Sequence, residues 1–470
     1  MSWNRRELLG GLGTVTAALI LGCHLPQFEV AKARAPSDSV RAWLRDAVSW
    51  LAPQFPEVSA LAVSRRRTTA TLDALGSGVA RSRFDGVVLS VRDRTGRREQ
   101  MSSELTESGV ARAVLSLIGT TQTAARLGFG GAPMIVRPAL AGDPAALEDR
   151  ALIKRLDAIA GDLASSRIIY AAALLDIDDA TTWSVGPEHD REQRLVRVRR
   201  TATRVAWNGT RPVVGEASHA WTGGIDEAVL SPAELRRAAV DATELMTPGA
   251  FADGEHDLLL APSVAAAAID AAVRALLTAR AQRRPEVAGR PPVSPLITLV
   301  DDPTAPGAYG GFAFDDAGTL AAPLALVDAG RIVGTLGAGR ERRPGHVGSL
   351  AAMPSHLRLA PGAGDPRAML ATGFVLEGGG TATVDPSSDR IALAIARARE
   401  RTQGAATGRV YADVELVGSL SALLASVTEL SAETGTFGMR DEVEGEPTWR
   451  SIEAPWLRLR GTVRARRRLA

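Results

Sequence analysis

The sequence holds a single cysteine, Cys23, in 470 residues. A disulfide scaffold is excluded, because one thiol has no partner within the chain. Lysine is nearly absent, occurring only at Lys32 and Lys154. Aromatic residues make up 4% of the chain, so its cores must rest on Leu, Val and Ala. No H-E-x-x-H, G-x-S-x-G, P-loop or dinucleotide fingerprint occurs. The zincin, nucleophile-elbow and nucleotide chemistries that those patterns encode are therefore not indicated. Gly378-Gly379-Gly380 is read as a turn between strands, with no following helix to hold a phosphate.

Arginine supplies nearly all the positive charge, yet the formal net charge is only +2, because Asp and Glu offset it along most of the chain. Arginine at this density fits the codon bias of a GC-rich genome, and no nucleic-acid partner is expected. Only Arg464-Ala-Arg-Arg-Arg468 forms a basic run, and residues 462–470 are read as a solvated tail. Hydrophobic residues at 45% and charged residues at 23% mark an ordinary globular chain. Its length suits two domains of about 200 residues each.

The N-terminus reads as an export signal over residues 1–35. Arg5 and Arg6 precede a Gly-rich apolar stretch from Leu8 to Gly22. That stretch is shorter than the roughly 20 residues a membrane-spanning helix needs. Twin arginines before a weakly apolar run favour the twin-arginine export route, which carries folded proteins. Cys23 follows Ile20-Leu21-Gly22 as in a bacterial lipobox, which implies acylation and membrane anchoring. Cleavage near Ala33-Arg34-Ala35 and an uncleaved anchor are the alternatives. An exported protein of the cell envelope or periplasm is expected.

Downstream, apolar periodicity predicts a helix over Ser39–Leu51, strands over Ala60–Leu72 and Gly86–Val91, and a turn at Asp93–Gly96. A helix is predicted over Thr106–Leu117, and another from Asp143-Pro144 to about Leu163. Arg194–Trp207 reads as a half-exposed strand, turned by Asn208-Gly209 into a return strand over Arg211–Ala217. Ser231-Pro232-Ala233-Glu234 is a capping box opening a helix that ends near Met246. The domain boundary is placed in Thr247–Gly254, which makes 36–247 the N-terminal domain and 248–461 the C-terminal one. A buried strand at Leu258–Ala261 leads through Pro262 into a long helix, capped by Ser263 and running to about Ala281. Beyond the Pro-rich stretch 285–295, short strands punctuated by Gly307, Gly318, Gly330, Gly378 and Gly408 predict a large, mostly antiparallel sheet or barrel. The fold class expected is α+β, an N-terminal α/β domain followed by a β-rich C-terminal one.

Several segments of the second half resemble the TldD/PmbA (TldE) family of zinc peptidase subunits. They are Ser294-Pro-Leu-Ile-Thr-Leu-Val-Asp-Asp-Pro-Thr304, Gly307–Thr319, Leu326–Leu336, Arg358–Gly362, Gly373–Asp385, Gly408–Gly418 and Pro455–Leu459. The resemblance covers Ala220–Gly461, whereas the N-terminal half agrees only in element order. It implies an α/β domain followed by a β-rich domain. In catalytic TldD-type members, a helix carries His-Glu-x-x-x-His and a later Cys completes a zinc site. Two imidazoles and a thiolate hold the metal while the Glu takes the proton of a bound water.

Counted from Pro262, that motif falls on Asp270-Ala271-Ala272-Val273-Arg274-Ala275. Asp270, Ala271 and Ala275 stand at the ligand and base positions, and the late Cys window holds Gly438, Met439, Arg440 and Asp441. No catalytic residue and no cofactor of its own is therefore expected. Zinc is expected only in a partner chain. The resemblance implies a TldE-like subunit, dimeric with a metal-bearing TldD-like chain, and an extended peptide as the shared ligand. An envelope-anchored binding or scaffold protein that kept only the fold is the alternative.

His346 and His356, ten residues apart, lie where the family approaches its cleft. Asp301-Asp302 and Asp315-Asp316 could hold Ca²⁺ or share a proton, but each precedes Pro or Ala-Gly, where Asp caps a turn.

Overall fold

A computed structural model describes residues 37–118, 132–160, 167–209, 212–244, 249–283, 293–337, 353–385, 387–443 and 446–466. The twin arginines, Cys23 and His346 lie outside the described residues. No helix among them is long and apolar enough to cross a membrane.

The first half opens with helix α1 (Ser37–Leu51). Its Val40, Leu44, Ala47, Val48 and Leu51 recur at helical spacing and are fully buried. Strands β1 (Glu57–Asp73), β2 (Gly76–Asp93) and β3 (Gly96–Ser102) form a meander, followed by α2 (Glu107–Ile118) and the short β4 (Met134–Val136). Helix α3 (Asp149–Ala160) precedes two strands of 19 residues each, β5 (Ile168–Gly186) and β6 (His189–Trp207), then β7 (Pro212–Thr222). These seven strands form one sheet in the order β3-β2-β1-β5-β6-β4, with β7 also paired to β6. All its pairings are antiparallel except β4–β6.

Helix α4 (Pro232–Glu244) leads towards the second half. Its capping box forms as the sequence predicts. Glu234 N donates to Ser231 Oγ at 3.2 Å, and Ser231 N donates to Glu234 Oε2 at 2.7 Å.

Strand β8 (Gly254–Leu260) and helix α5 (Pro262–Leu276) follow, then the four-residue α6 (Ala279–Gln282). Short strands β9 (Leu299–Asp301), β10 (Leu324–Asp328), β11 (Arg331–Ile332) and β12 (His356–Leu359) come next. The long hairpin strands are β13 (Gly373–Asp385), β14 (Arg390–Thr402) and β15 (Ala405–Ser419). Helix α7 (Leu420–Ala425), β16 (Glu429–Val443) and β17 (Glu446–Ala465) complete the chain.

These ten strands form a second sheet in which β8, β13, β14, β15 and β17 pair in a closed ring. The fold is thus mixed α+β with a β-rich C-terminal half. Alternation along β8 turns Leu258 and Leu260 into the main core, where α5 lies, and Leu259 towards Met369, Leu370 and Val375.

Four local expectations are corrected. The predicted helix from Asp143 splits. Asp143 Oδ1 accepts from Ala145 N at 2.9 Å and caps a single turn, Pro144–Ala146, and the chain is extended again at Leu147. Arg194 grips the same Asp143 carboxylate with both terminal nitrogens, at 2.9 and 2.8 Å, so a tertiary ion pair fixes the turn.

Helix α5 is capped by the Ala261 backbone rather than by Ser263, and it stops at Leu276. There Leu336 N donates to Leu277 O at 2.8 Å and draws the chain into a bridge with another segment. Strand β6 is buried along most of its length, not half-exposed. Three of its arginines end on backbone carbonyls of other segments: Arg197 on Tyr309 O at 3.1 Å, Arg200 on Ile225 O at 2.9 Å and Arg204 on Ile159 O at 2.7 Å.

Finally, residues 462–465 are not a solvated tail but the end of β17, paired with β15 and with Val463 fully buried. Strand β5 carries Asp176, Asp178 and Asp179 mid-strand, a pattern that favours turns. The sheet accommodates them by setting Arg67, Arg65 and Arg194 beside them.

Candidate functional site

Helix α5 starts with Pro262 at its first position, where a missing N–H does no harm, and its Ala-rich sequence allows close packing. It buries Val264, Ala265, Ala268, Ile269, Ala272, Val273 and Leu276 in the main core. Asp270 lies mid-helix and is itself 2% exposed. A buried carboxylate persists only with a cationic partner or a proton. The partner is Arg450 of β17. Its Nε donates to Asp270 Oδ1 at 2.7 Å and its Nη2 to Oδ2 at 3.0 Å, a two-pronged pair. Arg274, one helical turn on, adds Nε to Oδ2 at 2.9 Å.

Arg450 reaches Asp441 as well, with Nη1 2.5 Å from Oδ2. That contact is close but not aligned as a hydrogen bond. Met439 stands directly opposite Arg450 in the β16–β17 register, and its sulfur is 3.7 Å from Nη2. Burial pulls the Arg450 guanidinium down, but Asp270 and Asp441 outweigh it and hold it above its ordinary value. It is a permanent cation.

The other face of the β16–β17 hairpin meets the N-terminal sheet. A side chain at Gly438 would lie 2.2 Å from the Ala220 methyl, so only glycine fits that approach. Arg440 Nη1 lies 3.4 Å from Asp176 Oδ2. Trp449 packs with Ala220 and Tyr309 and is covered by two guanidiniums, Arg65 at 5.0 Å and Arg197 at 4.4 Å from the ring centre.

The other sequence-predicted residues sit elsewhere. Asp301 is fully buried, and its Oδ1 accepts from Ser355 N at 2.8 Å, Ser355 Oγ at 2.6 Å and His356 N at 2.9 Å. Asp302 Oδ1 caps a turn, accepting from Thr304 N at 3.0 Å and Thr304 Oγ1 at 2.6 Å. Burial raises the Asp302 carboxyl, but those bonds and Arg358 outweigh it and hold it below the usual carboxylate range. His356 is buried, with Nδ1 2.8 Å from Ser451 Oγ, and burial lowers its pKa. Asp315 Oδ1 accepts from Ala317 N at 3.0 Å and Thr319 N at 2.8 Å. The structure thus joins Asp301 to His356 through the backbone, and brings neither to Asp270.

A protein-family model described as the PmbA/TldA metallopeptidase C-terminal domain matches residues 253–464. Residues 253–464 thus carry a domain of the PmbA/TldA metallopeptidase C-terminal type. Three solved structures share its fold over nearly the whole length. A putative modulator of a DNA gyrase from Thermotoga maritima superposes with a TM-score of 0.73 at 15% identity, covering 90% of this chain and 99% of that one. A putative modulator of DNA gyrase from Bacteroides thetaiotaomicron gives 0.69 at 14%, covering 91% and 99%. TldE from Thermococcus kodakarensis gives 0.69 at 13%, covering 90% and 99%. No curated protein matches the sequence.

The TldD/PmbA zinc chemistry can be tested against these side chains. Ala271 and Ala275 offer only methyl groups, and the one carboxylate on this stretch of α5 is already committed to Arg450 and Arg274. Of the late window, Met439 and Asp441 meet the guanidinium, while Gly438 and Arg440 approach the other sheet. Among the described residues, no group of three or more His, Cys, Asp and Glu could hold a metal ion. These residues do not fit a zinc site. Sequence reasoning missed Arg450, although one signal pointed to it: an Asp inside an Ala-rich apolar helix requires a buried cation.

Proposed function

We propose that this chain is a non-catalytic, TldE-like subunit. It would complete a peptide-processing assembly whose zinc and general base belong to a TldD-like partner. One observation carries the reading: the helix position that needs an imidazole holds Asp270, paired to Arg450. The likeness of fold to a protein named TldE supports it. An extended peptide would be held by edge-strand pairing. The start of β16, Leu430–Ala432, is bonded to Gly362 and Gly364, but beyond it β16 pairs among the described strands only with β17, which leaves an edge near Pro262 of α5.

The test is co-expression with a metal-bearing TldD-like chain. A stable complex is expected, with chelator-sensitive peptide hydrolysis that needs both chains, and background zinc in this chain alone. One tightly bound zinc in the isolated chain, with chelator-sensitive proteolysis, would overturn the proposal.

A second reading, an envelope-anchored binding or scaffold protein, is favoured by Arg5-Arg6 and by Cys23. We propose export and acylation at Cys23 under either reading. Metabolic labelling with palmitate should mark the protein in the membrane fraction, and Cys23→Ser should abolish the label. A soluble cytoplasmic wild-type protein without label would refute both export and anchoring.

A further inference from the structure

We infer that Arg450 is a built-in cation: its guanidinium fills a two-carboxylate cradle between α5 and the β16–β17 hairpin and keeps external cations out. Placing that cradle over the family's metal position rests on the proposed function, but the cradle itself does not.

Asp270 and Arg450 have side chains 3% and 4% exposed, so neither is neutralised by solvent. Asp441, at 43%, closes the cradle from its wet side. Arg274, at 37%, reaches Asp270 from the next helical turn. Both buried charges are balanced, and both oxygens of Asp270 are bonded.

The geometry also explains why a guanidinium suits the place. A metal at this point would have to draw ligands from the helix and the hairpin together. Arg450 makes the same cross-link with one side chain, taking Asp270 from the helix and Asp441 from the facing strand. Its planar fork matches a carboxylate on two prongs, and it cannot lose its proton at neutral pH. The Ala-rich surface of α5 lets the hairpin approach closely enough for that reach.

The inference has two experimental arms. Arg450→Met should lower the unfolding midpoint by roughly 5–10 °C, because the buried Asp270 carboxylate keeps only the part-exposed Arg274 and loses its two-pronged partner. Asp270→Leu combined with Arg450→Met should recover most of that loss, since a buried ion pair is replaceable by apolar side chains. In the second arm, Arg450→Ala opens the cradle. Millimolar calcium chloride should then raise the midpoint of Arg450→Ala, leave the wild type unmoved, and have no effect on Asp270→Asn combined with Arg450→Ala.

A fully stable Arg450→Met chain would overturn the inference, as would a double variant no better than the single. So would calcium stabilisation of the wild type equal to that of Arg450→Ala, or none in Arg450→Ala. Neither arm uses a partner chain. Failure to form a complex with a metal-bearing subunit therefore leaves these results intact, and the reverse also holds.

Discussion

Glu377→Gln should destabilise the folded chain by about 3 kcal/mol at pH 7, and most of that difference should vanish on acidification. Glu377 sits on β13 at the centre of three guanidiniums. Arg237 Nη2 lies 2.9 Å from both of its oxygens, Arg397 Nε donates to Oε2 at 2.9 Å, and Arg399 Nε at 2.7 Å. Asp241 joins Arg237 and Arg397, and Glu244 joins Arg399. The network clamps α4, the last helix before β8, onto the C-terminal sheet. Exposed ion pairs contribute little, but the Glu377 side chain is only 13% exposed, so its loss leaves charges uncompensated.

The sign follows from the carboxyl's shift. Burial raises it, but the Arg399 hydrogen bond and the charges of Arg397, Arg399 and Arg237 outweigh burial and hold it below its ordinary value. A carboxyl depressed in the folded state contributes stability above its unfolded pKa of 4.5, and that contribution fades as pH falls through the folded value. Denaturant midpoints of wild type and Glu377→Gln should therefore lie well apart at pH 7 and converge in acid, as the pH falls through the depressed folded value. A gap of the same size at pH 7 and in acid would sink the account.

The helices and hairpins that local rules describe were legible in the sequence. Val40, Leu44 and Val48 mark α1 by spacing alone, Ser231 and Glu234 mark the start of α4, and Asn208-Gly209 marks the β6–β7 turn. What local rules could not show was long-range charge pairing. Asp178 in β5 looks like a turn residue until Arg65, far off in sequence, lies 3.6 Å away. Arg197, Arg200 and Arg204 look like the wet face of a strand until carbonyls from other segments meet them.

The candidate site divides in the same way. The missing imidazoles could be read from Asp270 to Ala275, because a motif is local. The guanidinium paired with Asp270 could not, since Arg450 lies 180 residues away and no spacing connects the two.

Trp449→Ala should cost about 3–5 kcal/mol, whereas Trp449→Phe should cost only about 1 kcal/mol. The indole is 6% exposed and fills the contact between the two sheets, against Ala220 and Tyr309. Its Nε1 has no hydrogen-bond partner among the described residues, so Phe forfeits no bond there. What Phe keeps is an aromatic face for Arg65 and Arg197. Burial pulls the Arg197 guanidinium down to about 10, against the charge of Asp178, so it still carries its charge at neutral pH.

A double-mutant cycle of Trp449→Ala with Arg197→Met should show coupling of about 1 kcal/mol from the stacked cation. Additive effects would remove the stacking argument, and a Phe variant as damaged as the Ala variant would remove the packing argument. The consequence reaches the candidate site through strand geometry. Trp449 and Arg450 are consecutive on β17, so they point to opposite faces, one towards the N-terminal sheet and one towards α5. Loosening Trp449 should therefore misplace Arg450 as well. The calcium response predicted for Arg450→Ala should then emerge, more weakly, in Trp449→Ala and not in Trp449→Phe.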